Sequence, residues 1–247
     1  MNPWQRGLLA GAGALGLGVG VSYLMGAHKI NRHVDRYRDH WAIRPEDHPD
    51  GVLHYVALGD SAAQGVGGSH EGSGYVALIG DRLAQATGRK VAVTNLSVSG
   101  AVSGDVVRDQ LPLLADLSFT PDVVTLDIGG NDTIFSKTNS VETFGASLET
   151  ILAALPEGSF VADVPWMLLP GWVEKSRLMA ERSAELAKVY GHHLVPLHEL
   201  TRKTGYFGYP RHTAQDWFHP NDRGYQAWAD VYWDTIVASG KLEALRG

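Results

Sequence analysis

The chain predicts a three-layer α/β/α fold built on a mostly parallel five-stranded sheet. Five short apolar runs, Val52–Leu58, Val91–Leu96, Asp122–Ile128, Ser159–Val164 and His193–Leu197, have strand length. Segments of helical period separate them, so each strand returns through a helix and pairs in parallel. Glycine-, serine- and asparagine-containing turns follow the strands, and the carboxyl ends of a parallel sheet are where chemistry gathers.

The helices expected between the strands lie near Tyr75–Ala86, Val102–Leu117, Ser140–Leu155 and Glu174–Tyr190, with a closing helix over Asn221–Ser239. At 247 residues and 44% hydrophobic content, the chain can bury one sizeable core but hardly two. A net charge of -6 offers no basic surface for nucleic acid, which excludes that class of partner. The absence of cysteine removes disulfides, thiolate zinc sites and a cysteine nucleophile.

The N-terminus has a different character. Gly7–Ala27 contains no acidic, basic or histidine residue and is bounded by Arg6, His28 and Lys29. That length fits one membrane-spanning helix, so residues 1–27 are expected to be an uncleaved anchor, with a removed signal peptide as the rival. Gly11, Gly13 and Gly16 spell a dinucleotide-binding motif, but inside an apolar stretch with no strand before it they read as small residues of a membrane helix. Ile30, Val34, Tyr37 and Trp41 then recur at helical spacing among Lys29, Arg32, Arg36 and Arg38. Residues 28–50 are expected to form a basic amphipathic helix, lying on the bilayer or packed on the domain, and a linker. Residues 51–247 form the globular domain. Basic residues gather after the span, so the positive-inside bias points to a cytoplasmic globular domain on a single-pass membrane protein.

Four strand-end motifs carry chemistry. Gly59-Asp60-Ser61 follows the first strand, where a serine can face the crevice. Asn95 ends the second strand, and Gly100 beyond it can present a bare backbone N–H. Gly129-Gly130-Asn131-Asp132 follows the third strand and can aim an amide donor into the same crevice. Asp216 and His219 lie three apart before the closing helix, a spacing that lets one turn set the carboxylate against one ring nitrogen and free the other for a serine proton. The chain has eleven histidines, and His54, His70, His192, His193, His198 and His212 read as satisfied structural residues.

Taken together, Ser61 in G-D-S, Gly100 in N-L-S-V-S-G, Asn131 in G-G-N-D and His219 in D-W-F-H resemble the SGNH (GDSL-type) hydrolase superfamily, in its order, from Val52 to about Ser239. Ser97 departs from the alanine or glycine common there. The resemblance implies a flavodoxin-like sheet and a serine esterase or lipase. Ser61 would be the nucleophile, His219 the base and Asp216 its orienting partner. The Ser61 and Gly100 N–H groups and the Asn131 amide would form the oxyanion hole, with Asp60 and Asp132 holding their loops. No metal or organic cofactor is implied.

The substrate is read from the apolar loop Pro165–Trp172, where Trp166, Leu168 and Leu169 are expected to line an acyl site, and from Tyr206, Phe207 and Tyr209. An ester with an apolar acyl chain, small or lipid-like, is the expected substrate. The alternatives are O-acetyl groups of a cell-envelope glycan and, from another class, a catalytically inactive membrane-tethered binding module.

Overall fold

The computed structural model describes residues 34–42, 52–135 and 139–246. Five parallel strands, β1 (Leu53–Gly59), β2 (Val91–Asn95), β3 (Val123–Asp127), β4 (Phe160–Ala162) and β5 (His193–Val195), form one sheet in the order β2-β1-β3-β4-β5. This is the flavodoxin-like order. The connections leave β1 and β3 toward opposite edges, which opens a crevice between their carboxyl ends.

Alternation along each strand feeds two cores. Tyr55 and Ala57 of β1 face a core closed by α3 (Tyr75–Thr87), α9 (Asp222–Ala238) and α10 (Lys241–Arg246). Val56 and Leu58 face the other, closed by a composite helix α4 (residues 103–115), α6 (Val141–Ala154) and α7 (Trp172–Val189). The remaining helices are α1 (Val34–His40), the four-residue α2 (Ser61–Gln64), α5 (Gly130–Ile134) and α8 (Leu197–His212).

The strands and helices expected from the sequence are present, with ends shifted by a few residues. Two differences matter. β4 and β5 are only three residues long, and Leu197 starts a helix instead of ending a strand. That helix, α8, was not expected. Glycine and proline break its periodicity, and Gly205 interrupts it with φ 62° and ψ -178°, so the chain turns outward before resuming a helix.

The described part of the basic amphipathic segment packs on the domain. Tyr37 is buried and its hydroxyl donates to the Gly68 carbonyl at 2.7 Å, while the Trp41 indole N–H donates to the Gln64 carbonyl at 2.9 Å. Arg36 pairs with Glu71. The expected anchor, Gly7–Ala27, lies outside the described residues, and among the described residues no helix is long and apolar enough to cross a membrane.

Candidate active site

Ser61 owes its position to a tight turn out of β1. Gly59 has φ 144°, and a Cβ there would stand 2.2 Å from the Asp127 carbonyl oxygen, so only glycine lets β1 and β3 approach so closely. Asp60 then caps α2, its Oδ1 accepting from the Ala62 N–H at 2.9 Å. Ser61 is the first helical residue, 5% exposed at the crevice.

Gln110 was not foreseen from the sequence. It lies fully buried in α4, accepts from the Gly59 N–H at 2.9 Å and donates to the Gly59 carbonyl at 2.8 Å. One side chain thus clamps both backbone groups of the residue that makes the turn possible. Its signal in the sequence is an uncharged polar residue four places after Val106, hence on the same buried helical face. Gln64 and Asn95 perform a similar task for the loop after β2. Gln64 Nε2 donates to the Ser97 carbonyl and its Oε1 accepts from the Ser99 hydroxyl, while Asn95 bonds Ala63 and Ser97. Ser97, the residue that departs from the superfamily pattern, is absorbed here as a donor to Asn95.

Asp216 and His219 occupy one turn. Asp216 Oδ1 accepts from the Phe218 and His219 N–H groups, each at 3.1 Å, and Oδ2 meets His219 Nδ1 at 2.5 Å. The turn forces Trp217 into the left-handed region at φ 57°, which costs a non-glycine residue about 1–2 kcal/mol. An antiparallel bridge between Thr213 and Pro220 closes the loop behind it. With Nδ1 donating to the carboxylate, His219 Nε2 is the acceptor and lies 2.8 Å from Ser61 Oγ. Burial alone would raise the Asp216 carboxyl, but the hydrogen bonds from His219 and Phe218 and the attraction of His219 bring it below its ordinary value.

Asn131 comes from α5, with the turn before it made by Gly129 at φ 114°. Its amide donates to Asp60 Oδ2 at 3.2 Å and to the Ala101 carbonyl at 3.0 Å, so it lies between the nucleophile turn and the residue next to Gly100. Asp132 accepts from the Ser103 N–H and hydroxyl, fixing the start of α4. Gly100 has φ 84° and faces open space.

A model of the GDSL-like lipase/acylhydrolase family matches residues 57–227, which is more than half of the chain. The chain belongs to this family. It is by class an ester hydrolase of the esterase and lipase kind. Solved structures of similar fold include TesA (24% identity, TM-score 0.61, 74% of this chain and 98% of that one). Another is the psychrotrophic esterase EstA from a Pseudoalteromonas species, in a structure inhibited by monoethylphosphonate (22%, 0.57, 75% and 97%). A third is Axe2, an acetylxylan esterase from Geobacillus stearothermophilus (20%, 0.58, 74% and 94%). Among curated proteins nothing matches the sequence.

In this GDSL-family chain a cleft opens beside Ser61 and His219. Trp166 lines it, 8% exposed and edge-on to Tyr206 at 5.3 Å between ring centroids. Leu168 and Leu169, expected in the same wall, do not line the cleft. The loop turns outward after Met167, and Leu169 is half exposed. Met167 takes their place, and α8 adds Leu200, Thr204 and Tyr209 to the lining. Phe207 is 97% exposed and faces away from the cleft. Of the histidines set aside, His198 and His212 bond backbone carbonyls and His70 caps a turn, as structural histidines do, whereas His192 pairs Nε2 with the Leu152 carbonyl but leaves its buried Nδ1 without a partner among the described residues.

Two further acids stand at the crevice. Burial pushes Asp60 up to about 6, less the effect of its bond from Ala62 and the attraction of His219. Asp127, at the end of β3, is 4% exposed and its Oδ2 has no hydrogen-bond partner among the described residues. An acceptor left this way costs on the order of 1–3 kcal/mol.

Proposed function

We propose that the protein is a serine esterase that transfers an apolar acyl group to Ser61 and then to water. The supporting observation is the unbroken chain from Asp216 Oδ2 to His219 at 2.5 Å and from His219 to Ser61 Oγ at 2.8 Å, at the mouth of an apolar cleft. Ser61 Oγ attacks the ester carbonyl carbon and its proton passes to His219 Nε2. The carbonyl oxygen takes the negative charge, facing the Ser61 and Gly100 N–H groups and the Asn131 amide. Asn131 is already doubly bonded, so it turns toward the oxyanion by giving up its longer bond, the 3.2 Å contact to Asp60. Collapse breaks the ester C–O bond, and the leaving alkoxide takes the proton from His219. Water repeats the sequence on the acyl-serine, with His219 again the base.

Trp166, Met167 and Leu200 give the cleft walls that an acyl chain of several carbons fills and an acetyl group leaves largely empty. This favours apolar esters over acetylated glycans. Residues 1–27 are proposed as a membrane tether with the domain on the cytoplasmic side. Alkaline phosphatase activity of a reporter fused after Gly247 would contradict that side.

Labelling with a fluorophosphonate probe tests the core of the reading. Ser61 of the wild type takes the label and Ser61→Ala does not. A wild-type protein that stays unlabelled while folded overturns the assignment.

A further inference from the structure

Among the hydroxyl and carboxyl groups that line the cleft, one is left without a partner, and it lies at the strand end beside the nucleophile turn. Asp127 is paired in register with Gly59, two residues before Ser61. Adjacent strands lie about 4.8 Å apart, so the Asp127 carboxyl stands near the carbonyl end of any acyl chain held at Ser61. It borders the cleft, is 4% exposed, and carries the oxygen without a partner.

Every other hydroxyl or carboxyl group of the lining is engaged by the protein. Asp60 accepts from Ala62, and Ser61 bonds His219. Thr201, Thr204 and Thr213 donate to carbonyls one turn back, and Tyr209 donates to the Trp217 carbonyl. The protein thus satisfies its other hydroxyl and carboxyl groups in this cleft and leaves one over. A convergent, unpaired polar group in a ligand site is what fixes the orientation of a ligand.

The chemistry of that group narrows the ligand. Burial, with repulsion from Asp60 and Asp163, holds the carboxyl well above its ordinary value, which favours its protonated form. A carboxylic acid offers one O–H donor and free acceptor positions. An unsubstituted hydrocarbon chain answers neither, whereas a hydroxyl is a small group that answers both.

On the serine-esterase reading above, we propose that Asp127 is a specificity-determining residue that binds the hydroxyl of a hydroxyacyl ester, within about three carbons of the ester carbonyl. The rest of the acyl chain lies along Trp166 and Met167.

The test compares p-nitrophenyl 3-hydroxyoctanoate with p-nitrophenyl octanoate. The quantity read is the ratio of their kcat/KM values, so a general loss of activity cancels. The wild type favours the hydroxy ester by ~10-fold or more, because a site built to bond a hydroxyl discriminates against its absence. Asp127→Leu brings the ratio to about one or below, and Asp127→Asn, which still donates and accepts, keeps most of it. A wild-type ratio near one overturns the proposal, and so does a ratio unmoved in a folded Asp127→Leu. If that variant fails to fold, the wild-type ratio decides alone. The two readings fail separately. A wild type unlabelled by fluorophosphonate sinks the esterase, whereas a labelled, active enzyme with a ratio near one sinks only the role of Asp127.

Discussion

The turn that carries Asp216 and the strand ends that carry Asp127 and Asp163 bury their carboxyls to similar depth, at 4%, 4% and 7% exposure. Burial raises all three. At the turn, two backbone N–H groups and His219 Nδ1 reach the carboxylate, and Asp216 ends below its ordinary value. Asp163 receives backbone bonds from His198 and Leu197 but no partner of opposite charge, and burial pushes it up to about 7. Asp127 lies well above its ordinary value, with burial joined by repulsion from the other two strand-end acids, Asp60 and Asp163. Depth therefore does not decide whether an acid in this crevice is charged. The donors and charges that surround it decide. The turn favours a negative charge that orients a histidine, and the strand ends shift their acids toward the protonated form.

The sharpest way to break this contrast is to remove the charge at the turn. Asp216→Asn keeps the shape but presents an N–H to His219 and selects the wrong tautomer. A fall in kcat of ~10⁴-fold is expected with the fold intact by circular dichroism, as for the equivalent change in other triads. A loss below tenfold would mean that the orienting charge comes from elsewhere.

Asn131→Ala removes a donor from the oxyanion and a partner from Asp60. We expect kcat to fall ~10²–10³-fold with little change in KM. A change confined to KM would make Asn131 a ground-state contact.

Asp163→Asn tests the other side of the contrast. The native state holds the Asp163 proton up to about pH 7, whereas an unfolded aspartate releases it near 3.8. Between those values the native protein binds more protons, so this group lowers unfolding free energy as pH rises, and the penalty is complete above about 7. Asparagine keeps the acceptor for His198 and removes the slope. Relative to the wild type, the variant should gain on the order of 2–4 kcal/mol between pH 4 and pH 8 in urea unfolding. Parallel curves for the two proteins would show that the proton is not held.

The smallest expected effect concerns the cleft lining at Trp166. Trp166→Ala should reduce the preference for octanoate over acetate esters by about tenfold, since about 1.5–3 kcal/mol attaches to a buried apolar contact of that size. An unchanged preference would place the acyl chain elsewhere.

Sequence alone determined the parallel sheet, because five short apolar runs separated by helices leave no other economical pairing. It also determined Ser61, Asn131, Asp216 and His219 as candidates, because each stands beside a glycine turn or within three residues of its partner. Gly100 and Trp166 were legible for the same reason, being fixed by the strand that precedes them. Leu168 and Leu169 were misplaced because an apolar run does not state where a loop turns outward. The helix over Leu197–His212 was hidden by Gly205 and Pro210, which break its local pattern while packing against α9 and α7 restores it. The clamp of Gln110 on Gly59 and the solitude of Asp127 are decided only in three dimensions. One joins residues 51 positions apart, and the other depends on donors that no neighbouring residue in the chain supplies. Local spacing fixes which groups can meet within a turn, but the burial and partnering that set a proton's affinity belong to surfaces brought together by the whole fold.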